Sequence, residues 1–410
     1  MPKRLLFIEG NRDGTVGGSY FVLLDLVRGL DRARYHPIVG FHRENYLIDT
    51  FEEAGAEVVL FDNLPPFQFS AAPLNRVLGP LKRLINLQRG LFAQARVYAR
   101  YLRENRIDLI NLNNSMTRNH AWMLAARQLG IPCITHEMGI NQSYSTISRY
   151  LGRRLDRIVC VSHAVHNAMR AHGIDYPNIQ VIHNGIDLDR YQRKETPAQL
   201  RRKHAIPEGV PVIGVVGNIR EWKGQETLVR ATALLKNKYP ELRCLLVGDC
   251  GNADRAYGER IDRIARELDV TGNIVLTGFQ RNAIDYMELM DVVTHTSITP
   301  EPFGIVTLEA MSCAKPLIST TIGGPAEVVV SGESGLLVDP GKPQDLADAI
   351  DRFLSDPDYA RRIGRQGYER MLIHFSMKHT VEKTMAVYAE ILRLTPVDAA
   401  ARGAPSASTG

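Results

Sequence analysis

Short apolar runs alternate with helix-periodic stretches from the start of the chain. Leu5-Leu6-Phe7-Ile8 predicts a buried strand, a glycine-rich turn follows, and Tyr20–Leu30 predicts a helix. Further strands are predicted at Pro37–Phe41, Val58–Phe61, Ile107–Leu112, Cys133–His136, Ile158–Ser162 and Ile179–Ile182, with helical patterns between most of them. That alternation predicts a parallel sheet covered on both faces. Residues 187–209 are polar, contain Pro197 and Pro207, and read as a hinge or linker. The pattern then restarts at Val210–Gly217 and runs on through Cys244–Val247, Ile274–Thr277, Val292–His295, Pro316–Ser319 and Gly335–Val338. The prediction is an α/β protein of two doubly wound, Rossmann-like domains, 1–186 and 210–375, facing a cleft. Val381, Met385, Tyr388 and Leu392 recur at i, i+4, i+7 and i+11, which predicts one more helix, over 376–395, with a single apolar stripe. The last stretch, 396–410, is rich in Ala, Pro, Ser and Gly and reads as disordered.

Composition narrows the class. At 410 residues, 44% hydrophobic and 23% charged, the chain is not wholly disordered, collagenous or a coiled-coil rod. Its net charge of +5 is unevenly placed: residues 1–190 hold 23 basic and 17 acidic side chains, and 191–410 hold 27 and 28. Between Leu74 and Arg106 there are eight basic residues against the single acid Glu104, interleaved with Leu78, Leu81, Leu84, Ile85, Leu87, Leu91 and Phe92. This composition fits a helix on an anionic membrane surface. It also fits an ordinary packing helix with a solvated basic face. The five cysteines form no C-x-x-C pair, which argues against a disulfide framework or zinc site and fits a reducing compartment. The N-terminal apolar run is too short for a signal-peptide core, so a cytoplasmic protein is expected, peripheral on the inner membrane face if the basic helix docks there.

Three motifs carry chemistry. Gly14-Thr-Val-Gly17-Gly18-Ser19 lies between the first strand and first helix, where glycines let backbone approach a ligand. Gly217-Asn-Ile-Arg220-Glu-Trp-Lys223-Gly224 follows the first strand of the second domain, and its two cations are spaced to reach one diphosphate. Glu301-Pro-Phe303-Gly304-Ile305-Val-Thr-Leu-Glu309 sets two carboxylates around a helix start, whose N–H groups at Phe303, Gly304 and Ile305 would hold an anion. Gly323-Gly324-Pro325-Ala-Glu327 follows at a neighbouring strand end. Asp187-Leu-Asp189 spells D-x-D but lies after Asn184-Gly185 in the hinge, and reads as turn and capping chemistry.

Together these features resemble a retaining glycosyltransferase of the GT-B fold, family 4. The resemblance rests on Arg220 with Lys223, the E-x7-E of Glu301 and Glu309, the GGxxE of Gly323–Glu327, the His183-Asn184-Gly185-Ile186-Asp187 turn and the Gly17-Gly18 loop, and it covers about residues 4–395. It implies that Glu309 binds ribose hydroxyls of a nucleoside diphosphate sugar. Arg220 and Lys223 would neutralise the diphosphate. Phe303, Gly304 and Ile305 would hold phosphate and sugar through their N–H groups, and Glu301 would hold the transferred sugar. It places the base near Gly278 and Arg281, and a first-domain histidine, here His136, beside the donor sugar. It further implies a C-terminal helix crossing back to the first domain. The expected reaction is transfer with retention to an acceptor hydroxyl, with a UDP- or GDP-linked donor and a lipid-linked or cell-envelope glycan acceptor. No metal, organic cofactor or nucleic-acid partner is expected. A nucleotide-sugar 2-epimerase, a phosphorylase lacking an evident pyridoxal lysine, and a non-catalytic sugar-nucleotide-binding subunit are the competing readings.

Overall fold

The computed structural model describes residues 1–11, 16–65, 67–68 and 78–394. Gly14 and Thr15 of the glycine-rich loop, residues 74–77 of the basic segment and the 396–410 tail lie outside the described residues. The first domain holds β1 (Lys3–Glu9), β2 (Tyr35–Phe41), β3 (Glu57–Leu60), β4 (Leu109–Asn113), β5 (Cys133–Glu137), β6 (Arg157–Cys160) and β7 (Ile179–Val181). They form one sheet in the order β3-β2-β1-β4-β5-β6-β7, parallel throughout. The second domain holds β8 (Val212–Val216), β9 (Arg243–Val247), β10 (Ile274–Gly278), β11 (Val292–Thr294), β12 (Leu317–Thr320) and β13 (Leu336–Val338). Their order is β10-β9-β8-β11-β12-β13, again all parallel. Each apolar run predicted above forms one of these strands, because helices cover both faces and the strand interiors are apolar on both sides: Leu5, Leu6, Phe7 and Ile8 are all fully buried.

This topology positions the ligand sites. Strand order reverses between β1 and β4 in one sheet and between β8 and β11 in the other, and ligands of doubly wound folds sit outside the strand ends at such points. The loops emerging there contain Gly17-Gly18, Asn113-Asn114, Arg220–Lys223 and His295–Glu301.

The chain crosses between the domains twice, and the crossings pair: Ile186 N–H donates to Phe375 C=O at 2.9 Å and Met377 N–H to Ile186 C=O at 3.0 Å. The helix Met377–Ile391 then lies on the first domain, where Val381 and Tyr388 join the core with Leu5 and Phe7. Asn111 of β4 donates to the Tyr388 hydroxyl at 2.9 Å, which satisfies a polar group in that core.

Two segments depart from the sequence reading. Residues 187–209 are not bare linker: they contain the helix Pro197–Lys203, opened by a capping box between Thr196 and Gln199 and anchored by buried Leu200. Pro197 stands at the first helical position, where proline starts a helix instead of breaking one. The basic segment divides in two. Gly79–Gln88 and Gln94–Glu104 are α-helical, joined by a π-helical turn over Arg89–Ala93. Past the turn, Ala95, Tyr98, Ala99 and Leu102 are buried, with Tyr98 stacked on Trp122. Before it, Leu81, Leu84 and Leu87 are exposed beside Lys82 and Arg83. The extra residue of a π turn rotates the apolar face, so one periodicity serves two environments. No helix among the described residues is long and apolar enough to cross a membrane.

Candidate active site between the two domains

A cavity of about 720 Å³ lies between the domains. From the first domain it is lined by Gly17, Gly18 and Asp25, from the hinge by Arg190 and Tyr191, and from the second domain by Phe279, Arg281, Ile305 and Glu309. The sequence-predicted Gly17, Gly18, Arg281, Ile305 and Glu309 are thus brought together. Lys223, Glu301, Arg220, Gly278, Phe303, Gly304 and His136 are not among the residues lining it.

Lys223 and Glu301 form a unit of their own at the second switch point. The Lys223 ammonium lies 2.7 Å from Glu301 Oε1 and stacks over the Trp222 ring at 4.5 Å. His295 Nε2 lies 2.9 Å from the same oxygen, and the Ser297 hydroxyl donates to it as well. Ser319 Oγ sits 3.1 Å from the other nitrogen of His295 and fixes the ring. Burial alone would raise the Glu301 carboxyl, but the hydrogen bond and charge of His295, together with Lys223, hold it well below the usual carboxylate range. Glu301 is therefore an anion presented by buried donors.

Gly304 adopts a left-handed conformation, φ 74° and ψ 62°, and opens the helix Ile305–Ser312. A Cβ there would meet Pro325 Cγ at 2.5 Å, so the position admits only glycine. The first N–H groups of this helix have no acceptor within it. The Phe303 side chain is buried near Phe375 and His183. The GGxxE motif supports this loop from behind. A Cβ on Gly324 would lie 2.4 Å from Pro302 C=O, and Gly324 N–H donates to Glu301 C=O at 2.9 Å. Glu327 turns instead to the first domain and accepts from the N–H groups of His163 and Ala164 at 2.8 and 2.7 Å.

Glu309 is gripped from the hinge. The Tyr191 hydroxyl donates to Glu309 Oε1 at 2.9 Å and Arg190 donates to that hydroxyl at 2.8 Å. The Arg190 guanidinium also reaches Asp25 Oδ2 at 3.0 Å and lies over the Phe21 ring. Burial raises the Glu309 carboxyl, with the Tyr191 hydrogen bond and the Arg190 charge opposing it. Asp25, Arg190 and Tyr191 were missed by the sequence reading. The available signal was a cation–aromatic pair directly after the Asn184-Gly185-Ile186-Asp187 turn, inside a segment read as linker. Asp187 accepts from Asp189 N–H at 3.1 Å, which is turn chemistry.

The remaining predicted residues are dispersed. Arg220 pairs with Asp254 at 3.3 Å and does not join Lys223. Gly278 ends β10 and leads into the exposed Phe279 and Arg281. His136 is buried near the end of β5, and its Nε2 has no hydrogen-bond partner among the described residues.

Two parallel-sheet Rossmann-like domains with a cleft at facing switch points define the GT-B architecture of glycosyltransferases. The family profile described as Glycosyltransferase Family 4 matches residues 16–190, and that described as Glycosyl transferases group 1 matches 198–370. The chain belongs to this family of glycosyltransferases. It is 28% identical over 258 residues to N-acetyl-alpha-D-glucosaminyl L-malate synthase of Bacillus anthracis, covering 62% of this chain and 65% of that protein. It is 32% identical over 220 residues to D-inositol 3-phosphate glycosyltransferase of Corynebacterium jeikeium, covering 52% of each. The chain thus spans between half and two thirds of the length of these curated relatives. Among solved structures, Anabaena Alr3699/HepE in complex with UDP superimposes with a TM-score of 0.79 at 24% identity, covering 94% of this chain and 100% of that one. A glycosyltransferase from Rickettsia africae gives 0.79 at 21% identity, covering 96% and 100%.

Proposed function

We propose that this protein transfers a sugar from a nucleoside diphosphate sugar to an acceptor hydroxyl with retention, without a metal ion. The observation that carries the reading is the Glu301–Lys223 unit, set four residues before the Gly304–Ile305 helix start and eight before cavity-lining Glu309. A diphosphate docked on that helix start meets Lys223. Ribose hydroxyls donate to Glu309. As the anomeric C–O bond breaks, negative charge grows on the leaving phosphate and is met by Lys223 and backbone N–H groups. Attack from the same face lets that phosphate take the acceptor proton, so Glu301 holds the sugar and is not a nucleophile. Arg220 reaches the diphosphate by leaving Asp254.

A uridine diphosphate donor is favoured, since UDP is named with the Anabaena structure. Phe279 is 69% exposed, lines the cavity and follows the strand end where the base is expected, so it stacks on the base. A thermal-shift screen of UDP, GDP and ADP tests this: UDP should stabilise most, and Phe279→Ala should weaken UDP by roughly tenfold, about 1–2 kcal/mol. No shift with any of the three nucleotides would reject the reading.

The acceptor we propose is a lipid-linked or cell-envelope glycan precursor. A second cavity, about 590 Å³, lies between the strand-end loops of the first domain and the basic segment, lined by Asn11, Arg118 and His120 from the former and by Asn86, Leu87 and Leu91 from the latter. A lining that mixes polar side chains with leucines suits an amphiphile. The exposed Leu81, Leu84 and Leu87 beside Lys82 and Arg83 suit an anionic bilayer. The protein should float with vesicles containing phosphatidylglycerol at low salt, and Leu84→Asp with Leu87→Asp should abolish flotation without changing UDP binding. Failure of the parent protein to float would remove the membrane from the proposal.

A further inference from the structure

Three potential metal ligands meet where the two domains touch, away from the cavity. His163 opens the helix His163–Ala171 of the first domain, His183 lies just past β7 at the hinge, and Glu327 belongs to the second domain. One ligand atom from each lies within 4.8 Å of the other two. We propose that these residues form a binding site for a borderline transition cation such as Zn²⁺, which ties the domains together at the hinge.

The donor set is two imidazoles and one carboxylate. That set suits zinc, nickel or cobalt and leaves one or more positions for water. Magnesium and calcium want oxygen ligands and would not compete. The supporting groups are already in place. Both Glu327 oxygens are held by backbone N–H groups, Oε2 by His163 and Oε1 by Ala164. His183 Nε2 faces Glu327 Oε2 at 2.8 Å, and its ring packs at 5.6 Å from Phe375 and 6.0 Å from Phe303. Such fixed orientation is what outer contacts give a metal ligand. His163 is exposed, with its ring 5.8 Å from that of His183, so it supplies both an entry path and the adjustable ligand.

The geometry needs small movements only. Tetrahedral zinc with ligands near 2.0–2.1 Å separates them by about 3.3 Å. The His183–Glu327 pair opens slightly as the metal replaces their shared proton, and the His163 ring swings inward. The positive end of the His163–Ala171 helix opposes a cation, and the Glu327 carboxylate offsets it. Because Glu327 is on one domain and both histidines are on the other side of the hinge, occupancy fixes the domains in this arrangement. Transfer that needs domain motion would then slow.

The binding test needs no substrate and so stands apart from the proposed activity. Full-length protein, freed of metal with EDTA, is titrated with zinc chloride by calorimetry and followed by thermal unfolding. One tight equivalent and a raised melting temperature are expected, with no effect of magnesium chloride. His163→Ala, an exposed change whose folding is checked by circular dichroism, should lose that equivalent or weaken it by roughly a hundredfold, and should lose the zinc-dependent shift. Glu327→Gln, which keeps an N–H acceptor, should do the same. Tight zinc binding that is unchanged in both variants, or no tight equivalent in the parent protein, would overturn the site.

Discussion

Lys223→Ala is expected to lower kcat/KM for sugar transfer by about 1,000-fold, roughly 4 kcal/mol of transition-state stabilisation, while the protein stays folded. The Lys223 side chain is only 18% exposed, so its charge acts through a medium poorer than water. Charge on the leaving phosphate grows as the glycosidic bond breaks, so kcat should fall by more than KM rises. The fold should survive because Glu301 keeps His295 and the Ser297 hydroxyl after the ammonium is gone. The stability cost is then about 1.5–3 kcal/mol, the scale of one charge-assisted hydrogen bond. Arg220→Ala is the internal comparison. Its side chain is 45% exposed and paired with Asp254, so roughly tenfold is expected. Steady-state kinetics with calorimetric melting separates the cases, and unchanged turnover in Lys223→Ala would reject the assignment of this site.

The sheets were legible in the sequence because strands buried on both faces must be apolar throughout: Leu5–Ile8 and Val212–Val216 have no polar interruption. Glycine-bearing motifs were legible for a related reason. Gly304 and Gly324 stand where any Cβ would collide, so the residue type itself reports a close approach. Partnerships between side chains were not legible. Arg220 and Lys223, three residues apart, go to different carboxylates, since Glu301 and Asp254 come from distant segments. Tyr191 on Glu309 depends on how the hinge runs across the second domain, which no local pattern encodes. The helix Pro197–Lys203 was hidden by proline, whose meaning reverses between a helix start and a helix interior. In the basic segment, the π turn over Arg89–Ala93 shifts the apolar stripe midway, so a single period could not show which half would be buried.

His136→Ala is expected to lower kcat by roughly 100-fold and to leave UDP binding unchanged, since the family resemblance puts this histidine beside the donor sugar and not beside the nucleotide. The His136 Nε2, buried and without a partner among the described residues, forgoes about 1–3 kcal/mol, which a hydrogen bond to the donor sugar would return. Burial pushes the His136 imidazole down to about 4. It is therefore neutral near pH 7, and in the proposed reaction it would act as a neutral hydrogen-bonding group towards the sugar, leaving cationic duty to Lys223. The unfolded chain takes up a proton at this residue near the ordinary value of about 6.5, and the folded chain only near 4. Between those values the unfolded state holds more protons, so this contribution is present above pH 6.5 and is lost as pH falls towards 4, about 3 kcal/mol in all. His136→Gln should flatten the fall in melting temperature over that window. A slope equal to that of the parent protein would mean that the imidazole is not buried in the neutral form, and the catalytic role assigned to it would fall with that.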